Sequence, residues 1–237
     1  MIKILYVHGF MGHENGSASM HLRKELDRRG ISYTLSAPHV PVTEPEEALK
    51  LVCTDEYDVI AGSSMGAFYT MQNRGTRKIL VNPALTQTMR DIKGDYPEGL
   101  TDRLDEMEEK FFEELGPDCV NETYLVFGTA DEVAHNREKF AEHYGESHIY
   151  EVKDMPHKLN ADGAAKIADI IEEIMENLLV KEFAAKTGLG RLKLLKVAAK
   201  AVRSARYLIF KLCSSCPYQK EFYETLSNIR SLSVQLE

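Results

Sequence analysis

The sequence predicts an α/β protein: a mostly parallel sheet of about six strands with helices on both faces, a small helical insertion and a helical C-terminal extension. Three observations carry this. Short apolar, β-branched runs recur through the first 180 residues, stretches with helical spacing lie between several of them, and the composition changes near residue 180.

The strand-like runs are Ile2–Val7, Ile31–Ser36, Tyr57–Ala61, Lys78–Val81, Thr123–Phe127 and His148–Val152. Most have the length and side chains of strands buried on both faces. The first helical stretch runs from Ser17 to Arg29 and stops at Gly30. A second begins after Thr43, with Pro45 at an early helical position and Glu46 and Glu47 in the first turn, where they suit the helix dipole. A third, Ala67–Asn73, follows the third strand. The last, Ala164–Leu179, places Ile167, Ile170, Ile171, Ile174 and Leu178 on one face. Residues 85–119 interrupt the alternation. They are acidic and contain Phe111-Phe112, and they read either as a helical cap over the strand ends or as a long solvated connection with one helix.

Charge divides the chain further. The net value of −8 hides a body, residues 1–180, at −15 and a tail whose residues 181–220 hold ten Lys and Arg against Glu182 alone. The acidic body argues against nucleic-acid binding, because its field repels phosphates. We therefore expect a domain over 1–180, with residues 85–119 inserted, and a basic extension over 181–237. Four cysteines are too few for a disulfide scaffold of this size. No apolar run reaches the roughly 18 residues of a membrane span. The opening residues show neither a basic region nor a small-residue cleavage site before the first strand, so the expected location is cytoplasmic.

Parallel sheets bind ligands at the carboxyl ends of their strands, so residues just after each strand matter most. Gly62-Ser63-Ser64-Met65-Gly66 follows the third strand and precedes a helix, which is G-x-S-x-G in strand–turn–helix context. Such a sharp turn strains Ser64 and exposes its hydroxyl as a nucleophile; the plainer reading is a Gly/Ser turn. A serine hydroxyl needs a base. His157, in the loop after the last strand, stands where that base is required, whereas the other histidines fall in less suitable places. The base needs a carboxylate to hold its tautomer, and Asp131 follows the fifth strand, giving the order Ser64, Asp131, His157. Asp131 could instead cap the segment after Val133, and Glu132 is its neighbouring alternative. Oxyanion donors are expected from the backbone N–H groups of Met65 and of Phe10, in the glycine-bearing loop after the first strand, where His8 reads as a structural brace.

With these residues in place the chain resembles the α/β-hydrolase superfamily, and within it the compact bacterial YqiA-like esterases. Leu5-Tyr6-Val7-His8-Gly9-Phe10, Gly62-Ser63-Ser64-Met65-Gly66-Ala67-Phe68-Tyr69 and Val81-Asn82-Pro83-Ala84 carry the resemblance, which extends to about residue 178. It implies hydrolysis of small carboxylic esters or acyl thioesters through an acyl-enzyme, with Ser64, Asp131 and His157 as the triad and neither metal nor cofactor. Thr86-Gln87 stands where that group tends to carry an arginine, and Met155-Pro156 where it tends to carry Gly-Asn. A non-catalytic binding or scaffold protein on the same fold is the rival reading.

From Leu189 to Leu212 the tail reads as a basic amphipathic helix, with Lys193, Lys196, Lys200 and Arg203 opposite Leu195, Ala198, Val202 and Ala205. Such a helix suits an anionic membrane surface, or packing on the acidic body or on a second copy. Cys213 and Cys216 form a C-x-x-C outside the strand context of a redox motif and without a second pair for zinc; two partly buried thiols are expected.

Overall fold

The computed structural model describes residues 1–92, 94, 96–187, 199–204 and 207–212, with side chains through residue 178. The chain divides into two compact units, Met1–Glu173 and Ile174–Glu237.

The first unit is built on six strands: β1 (Ile2–Val7), β2 (Tyr33–Ser36), β3 (Val59–Ser63), β4 (Arg77–Val81), β5 (Thr123–Gly128) and β6 (Ile149–Val152). They form one sheet in the order β2-β1-β3-β4-β5-β6, and every neighbouring pair is parallel. Parallel neighbours need crossovers, and the helices supply them: α1 (Ser17–Arg29), α2 (Pro45–Val52), α3 (Met65–Met71) and α7 (Arg137–Tyr144). The expected insertion between β4 and β5 is helical, comprising α4 (Thr86–Ile92), α5 (Leu100–Glu113) and α6 (Pro117–Asn121). The last helix, α8 (Ala161–Thr187), runs beyond both ends of the expected Ala164–Leu179.

Successive strand side chains point to opposite faces, so each interior strand contributes to two cores. Leu5, Val7, Ile60, Leu80 and Leu125 join one cluster with Phe68, Met71, Phe111 and Phe140, which come from α3, α5 and α7. Ile4, Ala61, Ile79 and Val126 are equally buried but lie outside that cluster, as do Leu22 and Leu26 of α1 and Ile167 and Ile171 of α8. Burial on both faces is why these strands read as largely apolar runs. Helices α1 and α8 are tied through Arg29, whose guanidinium reaches Glu25 at 2.8 Å, Asp169 at 2.7 Å, Glu172 at 2.9 Å and the Ala165 carbonyl at 3.0 Å.

The insertion is fixed at its base by Glu108 of α5. One carboxylate oxygen accepts the backbone N–H and the hydroxyl of Thr86, at the start of α4, at 2.8 and 2.9 Å. The other lies 2.6 Å from Lys139 Nζ on α7. Three helices therefore meet at one buried carboxylate.

The second unit corrects the expected helical extension. Two strands, β7 (Ala199–Ser204) and β8 (Tyr207–Leu212), pair antiparallel, with Val202 opposite Ile209 and Ala201 opposite Phe210. Tyr207-Leu208-Ile209-Phe210 is a dense run of strand-favouring residues, and in so short a run such preference outweighs an approximate helical spacing. Residues 189–198 of the expected helix, together with Cys213 and Cys216, lie outside the described residues. Among the described residues no helix is long and apolar enough to cross a membrane.

Candidate active site

Ser64 sits at the carboxyl end of β3 with φ 55° and ψ −126°, a conformation that L-residues avoid because it crowds Cβ against the backbone. The surroundings hold it there. Its N–H donates to the Val81 carbonyl at 3.0 Å, and its carbonyl accepts from Ala67 at 3.0 Å and Ala84 at 3.2 Å. The glycines of the motif make the turn sterically feasible. A Cβ at Gly66 would lie 2.3 Å from the Val7 carbonyl oxygen and 2.4 Å from that of His8, and one at Gly62 would lie 2.3 Å from Thr70 Oγ1.

The structure brings Ser64, His157 and Asp131 together from the ends of three strands. His157 Nε2 is 2.9 Å from Ser64 Oγ, and its Nδ1 is 3.0 and 3.1 Å from the two oxygens of Asp131. The side chains of His157 and Asp131 are 14% and 5% exposed, so water screens their interaction only weakly. Asp131 Oδ1 also accepts the backbone N–H groups of Val133 and Ala134 at 2.8 and 3.0 Å. Asp131 does not cap a helix, since the helix starts only at Arg137; its bonds to Val133 and Ala134 close a turn, while the same carboxylate meets His157. Burial pushes the Asp131 carboxyl up, but His157 and the two backbone donors outweigh it and leave its pKa below the ordinary carboxylate value. An ionised acceptor is therefore maintained next to the imidazole. The neighbour Glu132 diverges as adjacent side chains must, and its carboxylate stands 3.5 Å from the His157 backbone N–H.

The loop after β1 closes on itself through a bond from the Gly12 N–H to the Gly9 carbonyl at 3.0 Å. Gly9 lies against the nucleophile: a Cβ there would come within 2.8 Å of Ser64 Cβ. Phe10 follows directly, and its ring packs on Tyr96 with centroids 4.8 Å apart. Met65 is the first residue of α3, where a backbone N–H has no intrahelical partner. His8 braces the loop. Its Nε2 accepts the Val40 N–H at 2.9 Å, which leaves the proton on Nδ1 to bond the Gly9 carbonyl at 2.9 Å. Burial holds the His8 pKa below the ordinary histidine value, consistent with this neutral tautomer. Other histidines are engaged elsewhere: His143 stacks on Phe112, and His148 Nδ1 meets the Thr123 carbonyl.

Sequence reasoning gave Asn82 no role beyond the motif it stands in. It is fully buried, with φ 42°, and its side chain bonds Gly128 at the end of β5 and the loop after β6. A polar residue at a buried strand end is the one local sign of this. A cavity of about 320 Å³ borders Asp131 and is lined by Phe127, Thr129, Ala134, His135 and Glu138, among others; neither Ser64 nor His157 lines it. Among the described residues, no group of three or more His, Cys, Asp or Glu side chains is arranged to hold a metal ion.

Residues 3–175 match the model of UPF0227, described as an uncharacterised protein family. The chain belongs to this family. Six parallel strands with a helical insertion after β4 are the architecture that the α/β-hydrolase resemblance implied. Residues 166–234 also match a model described as a transposase DDE domain, group 1, which covers less than half of the chain. No curated protein matches the chain. Solved structures similar to it include a protein described as a hydrolase of the alpha/beta superfamily from Xanthomonas campestris pv. campestris, at 18% identity and TM-score 0.49, covering 74% of this chain and 98% of that one. Est1E from Butyrivibrio proteoclasticus is 15% identical with TM-score 0.48, covering 75% and 88%. Alpha/beta hydrolase domain-containing protein 10 from mouse is 14% identical with TM-score 0.46, covering 73% and 90%.

Proposed function

We propose that this UPF0227 protein is a serine hydrolase that cleaves small carboxylic esters or acyl thioesters through an acyl-enzyme. The observation that carries the reading is the 2.9 Å approach of His157 Nε2 to Ser64 Oγ while Nδ1 rests on Asp131. With Nδ1 protonated toward the carboxylate, Nε2 is left basic and aimed at the hydroxyl.

In the proposed reaction, Nε2 takes the hydroxyl proton as Ser64 Oγ bonds to the acyl carbon, and the carbonyl electrons move onto oxygen. The N–H groups of Phe10 and Met65 stabilise that oxyanion; each such donor is worth about 3 kcal/mol in the transition state. The tetrahedral intermediate then collapses, the ester or thioester bond breaks, and imidazolium returns the proton to the departing alcohol or thiol. Water repeats the sequence on the acyl-enzyme, giving its proton to Nε2, releasing the acid and regenerating Ser64. Asp131 stays ionised throughout, orienting the ring and stabilising its cationic form.

The test combines a fluorophosphonate probe with a panel of acyl esters and acyl thioesters of increasing chain length. The wild-type chain should be labelled and turn over part of the panel, while Ser64→Ala should do neither. Labelling that persists at another serine, or absence of turnover and labelling in the folded wild-type protein, overturns the reading.

A further inference from the structure

The corner after β4 bonds to all three strand ends that carry the site. Val81 accepts the Ser64 N–H and Ala84 donates to the Ser64 carbonyl, so the nucleophile's own peptide groups are held on both sides of residue 82. Between those two anchors stands Asn82. Its Nδ2 donates to the carbonyls of Pro156 and His157, both at 3.0 Å, and its Oδ1 accepts the Gly128 N–H at 2.8 Å. Its backbone N–H donates to the Val126 carbonyl at 2.9 Å.

Both amide hydrogens and the amide oxygen are therefore used, each on a different backbone group. The orientation is unambiguous, because a reversed carboxamide would face its oxygen toward two carbonyl oxygens. The two ties act on different segments. Gly128 ends β5, three residues before Asp131, and His157 carries the imidazole. One rigid, buried side chain thus sets the distance between the acid loop and the histidine loop, and the backbone on either side of it fixes both to Ser64.

We propose that Asn82 is the positioning residue of this site: its carboxamide holds the His157 loop so that the imidazole spans Ser64 Oγ and Asp131 at once. This rests on the proposed hydrolase reading and deepens it. The imidazole contacts sit on a loop that leaves strand β6, which among the described residues pairs on one side only, so the loop's position has to be imposed from the interior. A displacement of about 1 Å between reacting groups can cost about 100-fold in rate.

Two variants separate positioning from bulk stability. Asn82→Gly suits the left-handed backbone at φ 42° and removes the carboxamide alone. Asn82→Asp keeps the shape and the acceptor for Gly128 but replaces the two donors with an oxygen that opposes two carbonyls. Fluorophosphonate labelling rates per folded molecule should fall about 10- to 100-fold in both, with kcat for an ester lowered far more than KM is changed. A downfield proton resonance of imidazole Nδ1–H bonded to Asp131 should appear in the wild-type chain and vanish or move in both variants. If Asn82→Gly fails to fold, as judged by circular dichroism, Asn82→Asp gives the same reading. Labelling within twofold of wild type, or an unshifted resonance in either folded variant, overturns the proposal. Failure of the wild-type chain to label sinks the hydrolase reading instead, and the resonance, which needs no turnover, still decides the role of Asn82.

Discussion

The imidazole of His157 and the carboxylate of Asp131 meet through both oxygens, with Nδ1 3.0 Å from Oδ1 and 3.1 Å from Oδ2. A single protein proton is thereby held on the ring nitrogen that points away from Ser64. Asp131→Asn turns one of those oxygens into a donor and favours the opposite tautomer, with Nε2 protonated and unable to accept from the hydroxyl. Ester turnover should fall about 1,000- to 10,000-fold with little change in fold, measured as kcat beside a circular dichroism spectrum.

The same carboxylate has a pH signature. Its pKa is lower folded than unfolded, so its bonds stabilise the chain fully above the ordinary carboxylate value of 3.8, and that stability is lost as pH falls toward the lower folded value. Urea denaturation of wild type and Asp131→Asn at a series of pH values should show the two curves converging on the acid side. Parallel curves down to strongly acidic pH would contradict the linkage.

His8 works in a different window. Burial lowers its folded pKa below 6.5, so the native state resists a proton that the unfolded chain accepts. Stability should be constant at pH values well above 6.5 and decline as pH falls through 6.5 toward the folded value. A His8→Gln variant should lack that decline, whatever its stability at pH 8, in the same denaturation series.

Gly66 leaves no room for a side chain. Alanine there would force its Cβ within 2.4 Å of two backbone oxygens, which cannot rotate away as a flexible side chain could. Gly66→Ala should lose about 1–3 kcal/mol of stability in urea and lose fluorophosphonate labelling with it, because the strand and loop it would push apart flank Ser64.

Glu108 anchors the insertion. Glu108→Ala leaves the buried Thr86 N–H and hydroxyl without their acceptor, at about 1–3 kcal/mol for each unpaired group, and frees Lys139. The midpoint of chemical unfolding should shift accordingly. Lys139→Ala should cost less, since its side chain is half-exposed and loses little solvation either way.

Much of this was legible in the residues. Interior strands β1, β3, β4 and β5 are largely apolar because both of their faces are buried, and the motif around Ser64 takes its meaning from the strand before it and the helix after it. Asp131 and His157 could be singled out because the proposed role demands a place after a strand, in a set order. Asn82 was not found, because its bonds go to carbonyls 74 and 75 residues away, and no local pattern encodes such a partner. The tail misled for another reason. Ala199–Leu212 carries an approximate helical spacing of basic residues, but its β-branched and aromatic residues fall in two six-residue segments that pair with each other. Short apolar runs leave period and propensity in competition.

The β6 strand spans four residues and borders the sheet, yet the loop that leaves it bears the imidazole. Borders of a sheet fray at lower free energy than its centre. Mild denaturant should therefore silence the hydroxyl's partner while the interior strands remain intact, so that loss of turnover precedes loss of the circular dichroism signal: the chain would be disarmed before it is unfolded.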